Sequence, residues 1–341
     1  MQDRAQAQSG FTLVELIVTA ALLGGLVYAV STLSLTGARS QEYARRLSRA
    51  TEITHELIDQ IRTEAMSCSR VFGNDAEGNA NLALLDLGGA PTPVASRRLP
   101  TISTDGVIQP DTAGTQISGN TLFFTRLAWT DRFVCSSGQE YLTDVYRWIY
   151  YYLTPEGGGP MVGSPIGLNL VRIESEPLVD AASIDRITVV ADRAELLQHL
   201  LDGTPDATGV ARTRCEVVWR RGALPSVVGT LRMIGNGGTL SNSPAVPRPL
   251  SWNVLRSAPT VRGLLSYRHH SVATNFARAN FGVGRYSVVN LASGFPHGFE
   301  IQVVGPATAR QILVHLVIAS TNREGQWAWS EVQVIIDARD L

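Results

Sequence analysis

Gly10-Phe11-Thr12-Leu13-Val14-Glu15 opens the stretch whose reading decides the architecture, and LIVTAALLGGLVYAVSTLSL (Leu16–Leu35) completes it. The second part holds 20 residues without a charge. At ~1.5 Å per residue a helix of that length spans ~30 Å, the thickness of a bilayer hydrocarbon core. A buried core helix seldom runs 20 residues with no polar face, as this one does. A secretory signal would have a shorter apolar run and an A-x-A cleavage site, which is missing here. Glu15 stands at the edge of the apolar block. A carboxylate in lipid is costly unless a cation meets it. No Arg lies within the block, so the positive group is expected from another molecule.

This pattern of short polar leader, Gly, Phe, an acid four residues after the Phe and an apolar helix resembles the processing site of type IV prepilins and of type II secretion pseudopilins. The likeness covers residues 9–35. It implies that a membrane aspartyl peptidase cleaves between Gly10 and Phe11 and N-methylates Phe11. It also implies that Glu15 pairs with the free amine of a neighbouring subunit and so sets assembly register. Residues 1–10 are then a cleaved leader and residues 11–35 a transmembrane and assembly helix. The flanking Arg39, Arg45, Arg46 and Arg49 do not follow the positive-inside rule. A cytoplasmic leader and an exported body are therefore what the resemblance implies, not what charge shows. Gly24 and Gly25 read as a flexible point or as a place of close helix packing. No Pro occurs between Phe11 and Pro91, so the kink common in related helices is not expected.

Composition narrows the rest. The chain has 341 residues, 29 basic against 30 acidic, for a net charge of -1. No global basic field is present to hold nucleic acid. Every basic residue is Arg, which excludes Schiff-base and phosphate-loop Lys chemistry. The three cysteines form no CxxC pair and suggest no Cys-type zinc site.

Residues 36–66 continue as an amphipathic helix. Leu47, Ala50, Thr54, Leu57 and Ile61 make a stripe at spacings of three and four, with Glu52, Glu56, Asp59 and Arg62 largely opposite. Residues 67–341 read as a β-rich body. Strands are predicted at Thr121–Leu127, Asp144–Leu153, Leu168–Glu174, Cys215–Arg220, Gly229–Ile234, Phe299–Val304, Gln311–Ser320 and Ser330–Asp337, with a helix at Arg193–Leu201. Long loops are predicted at 73–119, 154–167, 202–209 and 235–248. The fold class is α+β, a long spine helix packed on an antiparallel sheet. Tyr146, Trp148, Tyr150, Tyr151 and Tyr152 mark a strand expected to be buried on both faces.

Tyr150-Tyr151-Tyr152-Leu153, then Leu168-Asn169-Leu170-Val171-Arg172, then Pro177-Leu178-Val179 also resemble the body of large minor pilins of the PilW type and of J-type pseudopilins. For an exported body Cys68–Cys135 is the first disulfide expected and Cys135–Cys215 the second, with no bridge as the third case. No catalytic constellation emerges. His269 and His270 are adjacent, and neighbouring strand residues point to opposite faces. His315 reads as a satisfied sheet residue. The loops Asn74–Asn79 and Asp202–Asp206 could offer oxygen ligands to calcium but read as solvated turns, without EF-hand spacing.

The resemblance implies a non-enzymatic minor pilin without cofactors that primes or caps a type IV pilus near its tip. Its partners would be the prepilin peptidase, the major pilin, other minor pilins, a tip adhesin and the inner-membrane assembly platform. It would wait in the inner membrane with its body in the periplasm, then reach the cell surface, where such pili serve motility and adhesion. The alternatives are a type II secretion pseudopilin and a membrane-anchored ligand-binding or adhesion module.

Overall fold

The apolar stretch and its amphipathic continuation form one unbroken helix, α1 (Leu13–Met66), which ends where the stripe was expected to end. The computed structural model describes residues 12–85, 87, 89–108, 117–155, 168–210, 214–222, 231–233, 249–255, 270–273, 298–321 and 327–339. Of residues 231–233, 249–255, 321 and 327 only the backbone is considered. Two compact units divide the chain at Arg49 and Ala50.

In the first unit every large apolar side chain from Leu13 to Leu35 is more than half exposed. Helix formation leaves these side chains pointing outward on all sides. Soluble proteins rarely display so large a continuous apolar surface.

The second unit holds the rest of α1 and a β-rich body. Its strands are β1 (Cys68–Phe72), β2 (Ile102–Ser103), β3 (Leu122–Val134), β4 (Glu140–Thr154), β5 (Asn169–Ser175), β6 (Leu178–Asp180), β7 (Val217–Trp219), β8 (Leu231–Met233), β9 (Pro249–Leu255), β10 (Ser271–Val272), β11 (Phe299–Val304), β12 (Arg310–Thr321) and β13 (Trp327–Ala338). Among the described residues three short α-helices join them: α2 (Ala76–Leu84), α3 (Ala181–Asp185) and α4 (Val190–Asp202). One sheet runs β1-β3-β4-β6-β7-β8, with β5 joining β4 to β9; the other runs β10-β12-β11-β2, with β13 beside β12. Among the described residues pairing is antiparallel except β6 with β7 and β2 with β11. The body is thus a mixed, mainly antiparallel sheet system, and the α+β class holds.

The stripe on α1 has a definite destination. Ala50, Ile53, Leu57, Ile61 and Ala65 are buried together with Phe124, Ile149 and Tyr151 of the first sheet and Ile301, Val314 and Leu316 of the second. One helix face therefore closes a core shared by both sheets. The opposite face of β4 builds a second core: Tyr146, Trp148, Tyr150 and Tyr152 pack with Phe72, Phe123 and Trp219. The aromatic strand is buried on both faces, as expected. A third core holds Phe133, Val179, Leu196 and Leu200 under α3 and α4.

Strands β1, β2, β9 and β10 and helix α3 lie outside the predicted elements, and β4 starts four residues before its expected Asp144. Two further departures have a local reason. α2 lies within the expected loop 73–119. Its Gly and Asn content hides it, but Asp75 caps it by accepting from the Gly78 amide at 2.7 Å. β3 runs seven residues past its expected end at Leu127, because a bulge at Ala128 lets it continue with β4. α4 stops as predicted, with Gly203 in the left-handed region at φ 68°.

Candidate functional site: the N-terminal helix and the charged end of its continuation

Gly10 and Phe11 lie outside the described residues. The structure begins at Thr12, and its first turn is a capping box. The Thr12 amide and hydroxyl both donate to Glu15 Oε2 at 2.9 Å, and the Glu15 amide donates to Thr12 Oγ1 at 3.4 Å. Thr-x-x-Glu is the sequence that closes such a box, which satisfies helix-start N–H groups that have no intrahelical acceptor. Glu15 therefore has a local use that the sequence reading did not consider. Between Leu13 and Ala38 it is the sole charged residue.

Hydroxyls further along are satisfied inside the helix. Thr19 donates to the Glu15 carbonyl at 2.7 Å, Thr32 to the Ala29 carbonyl at 2.9 Å and Thr36 to the Thr32 carbonyl at 2.8 Å. Internal satisfaction of this kind is what a helix in hydrocarbon requires. The helix is long and apolar enough to cross a membrane, and its most apolar window is wholly unburied. It passes through Gly24 and Gly25 without interruption, and nothing stands within 4 Å of either missing Cβ.

Within the body, the last turns of α1 meet a charged cluster on the sheet. Arg172 Nη2 lies 2.7 Å from both Glu64 Oε1 and Glu174 Oε2. Tyr151 donates its hydroxyl to Glu64, and Arg147 pairs with Glu174. The last turn of α1 carries no basic residue. The sheet supplies cations beside the negative end of the helix dipole instead. Burial pushes the Glu174 carboxyl up, but Arg147 and Arg172 outweigh it and hold it below the usual range. Burial and the neighbouring Glu64 both push the Tyr151 phenol up. No local spacing announces this cluster, since Glu64 and Arg172 are 108 residues apart.

The expected Cys68–Cys135 bridge is not formed, and all three cysteines are buried outside any disulfide. Cys68 sits opposite Arg126 in the β1–β3 ladder. Cys135 follows nine residues later along an extended strand, about 26 Å away at ~3.3 Å per residue with one residue taken up by the bulge. The second pairing is not formed either. Cys135 Sγ contacts the Asp192 carbonyl at 3.7 Å at the start of α4, whereas the Cys215 amide donates to the Leu200 carbonyl at its end. Eight helical residues, ~12 Å, separate those points. Burial first, then Asp192 and Glu195, push the Cys135 thiol up to about 11. Burial pushes Cys215 up to about 12. Iodoacetamide at pH 8 is expected to leave the native chain unmodified and to alkylate three cysteines after denaturation, read by intact mass. A bridge would leave one reactive thiol.

Cys135, Asp192 and Glu195 place a sulfur and two carboxylates within 4.8 Å of one another. Each carboxylate is already engaged. Glu195 accepts from the Ser136 amide and hydroxyl, and Asp192 accepts from Ser137 and Tyr141. The cluster ties the β3–β4 turn to α4. The residues considered for calcium are engaged likewise. Asp75 caps α2, Glu77 pairs with Arg70 at 2.5 Å, and Asp206 accepts from the Val134 and Thr208 amides. His315 sits in the sheet between Glu300 at Nδ1 and Glu331 at 2.7 Å from Nε2. His55 is exposed on α1, and His269 lies outside the described residues.

No family model, curated protein or solved structure matches the chain.

Proposed function

We propose that this chain is a type IV pilin-like subunit, a minor pilin that primes or caps assembly of a pilus near its tip. The observation that carries the reading is an exposed apolar helix whose one charge stands at its first turn. Lipid accepts such a helix in the waiting subunit, and the helices of neighbouring subunits accept it in a filament. Glu15 is the natural register mark, because one polar pair in an otherwise apolar bundle favours a single axial position over its neighbours. From Ala50 onward the amphipathic part is buried along one face by two sheets, so the body is built on the same helix that carries the apolar stretch. On this reading the chain works by assembly, without catalysis or cofactor. It passes from the inner membrane, with its body in the periplasm, to the cell surface. Its partners are a prepilin peptidase, other pilins and an inner-membrane assembly platform.

N-terminal mass analysis of protein recovered from sheared filaments tests this. The expected product begins at N-methylated Phe11. A chain that keeps its first ten residues and never enters a filament would overturn the proposal.

A further inference from the structure

Arg126 of β3 and Arg147 of β4 are directly opposite each other in the ladder, on the face that α1 covers further along. Like charges at such a position repel, and a sheet keeps them only with compensation. Compensation is incomplete here. Among the described residues Arg126, Arg147 and Arg172 share two carboxylates, Glu64 and Glu174, so these five side chains carry one excess positive charge. Arg172 is bonded to both carboxylates. Arg126 approaches Glu64 only to 3.9 Å and Glu174 only to 3.6 Å. Among the described residues its guanidinium N–H groups have no acceptor. The Arg126 and Arg147 side chains are 28% and 24% exposed, so solvent reaches them.

The strand is also shaped at this point. Residues 126 and 129 of a regular strand face opposite sides. The bulge at Ala128 brings Trp129 opposite Val145 and thus onto the Arg126 side. The Arg147 guanidinium then lies over the Trp129 ring, 5.4 Å from its centroid. Stacking holds that fork in place.

We infer that Arg126, with Arg147 fixed on Trp129 beside it, is a receiving site for one external carboxylate. A carboxylate matches the planar guanidinium fork and carries one negative charge, which neutralises the excess. A phosphate dianion would overshoot and repel Glu64 and Glu174. The inference goes beyond the filament reading and does not depend on it. The carboxylate comes either from a small acid or from an Asp or Glu side chain of a protein partner.

The test uses the full chain in detergent at pH 7 and fixed ionic strength. Thermal unfolding is followed with acetate, N-acetyl-glutamic acid α-amide, phosphate or chloride as the anion. Acetate and the glutamate probe are expected to raise the midpoint above chloride and phosphate. Arg126→Gln should abolish that difference. Glu174→Gln, which removes an internal competitor, should tighten carboxylate binding by about tenfold. Stronger stabilisation by the glutamate probe than by acetate assigns the site to a protein side chain, and equal stabilisation assigns it to a small acid. No carboxylate effect on the native chain, an effect that survives Arg126→Gln, or preference for phosphate would overturn the inference.

Discussion

Glu15→Ala is expected to leave the chain processed and membrane-bound while its recovery from sheared filaments falls tenfold or more. A hydrogen bond to a charged group contributes about 1.5–3 kcal/mol, and about 1.4 kcal/mol is a factor of ten. The structure adds a complication that a second variant resolves. Glu15 closes a capping box with Thr12, so its removal weakens the helix start as well as any contact with a neighbour. Gln also serves at that box position. Glu15→Gln therefore keeps the cap and loses the charge. If the charge marks register, Gln fails as Ala does. If the cap is all that matters, Gln restores incorporation. The readout is the filament-to-membrane ratio by immunoblot, and normal incorporation of Glu15→Gln would count against the intersubunit pair.

Arg172→Ala should have the largest effect on the stability of the body, a loss of about 3–5 kcal/mol. Its side chain is 10% exposed and bonds Glu64 and Glu174, which are scarcely more open. Without it the carboxylates face each other, and among the described residues Glu64 keeps only the Tyr151 hydroxyl and the distant Arg126. Urea unfolding of the full chain in detergent gives the size. Adding Glu64→Gln to Arg172→Ala should recover part of the loss, because one uncompensated charge disappears. A pH dependence accompanies this. The Glu174 carboxyl is depressed in the folded state, so its contribution is present above the unfolded value of about 4.3 and is lost as pH falls through the folded value. Glu174→Gln should flatten the acid limb of the stability curve. An unchanged limb would mean that other carboxylates set it.

Much of this architecture was legible because its signals are local. The apolar run, the stripe from Leu47 to Ile61 and the two-faced burial of Tyr150 and Tyr151 follow from helix and strand periods that any short window contains. The end of α1 at Met66, the whole of β11 and the stop of α4 at Gly203 were readable for that reason. The Thr12–Glu15 box was equally local, yet the apolar context drew the reading toward a partner outside the chain.

What short windows could not supply is which distant residues meet. The meeting of Glu64 with Tyr151 and Arg172, the placing of Trp129 under Arg147 and the separation of Cys68 from Cys135 depend on strand register and on a bulge. Residue order alone therefore determined a greasy helix with a single acid, an amphipathic continuation and a β-rich body. Only tertiary structure decided which charges face each other and which thiols stay apart, since those outcomes are set by how strands align in space rather than by spacing along the chain.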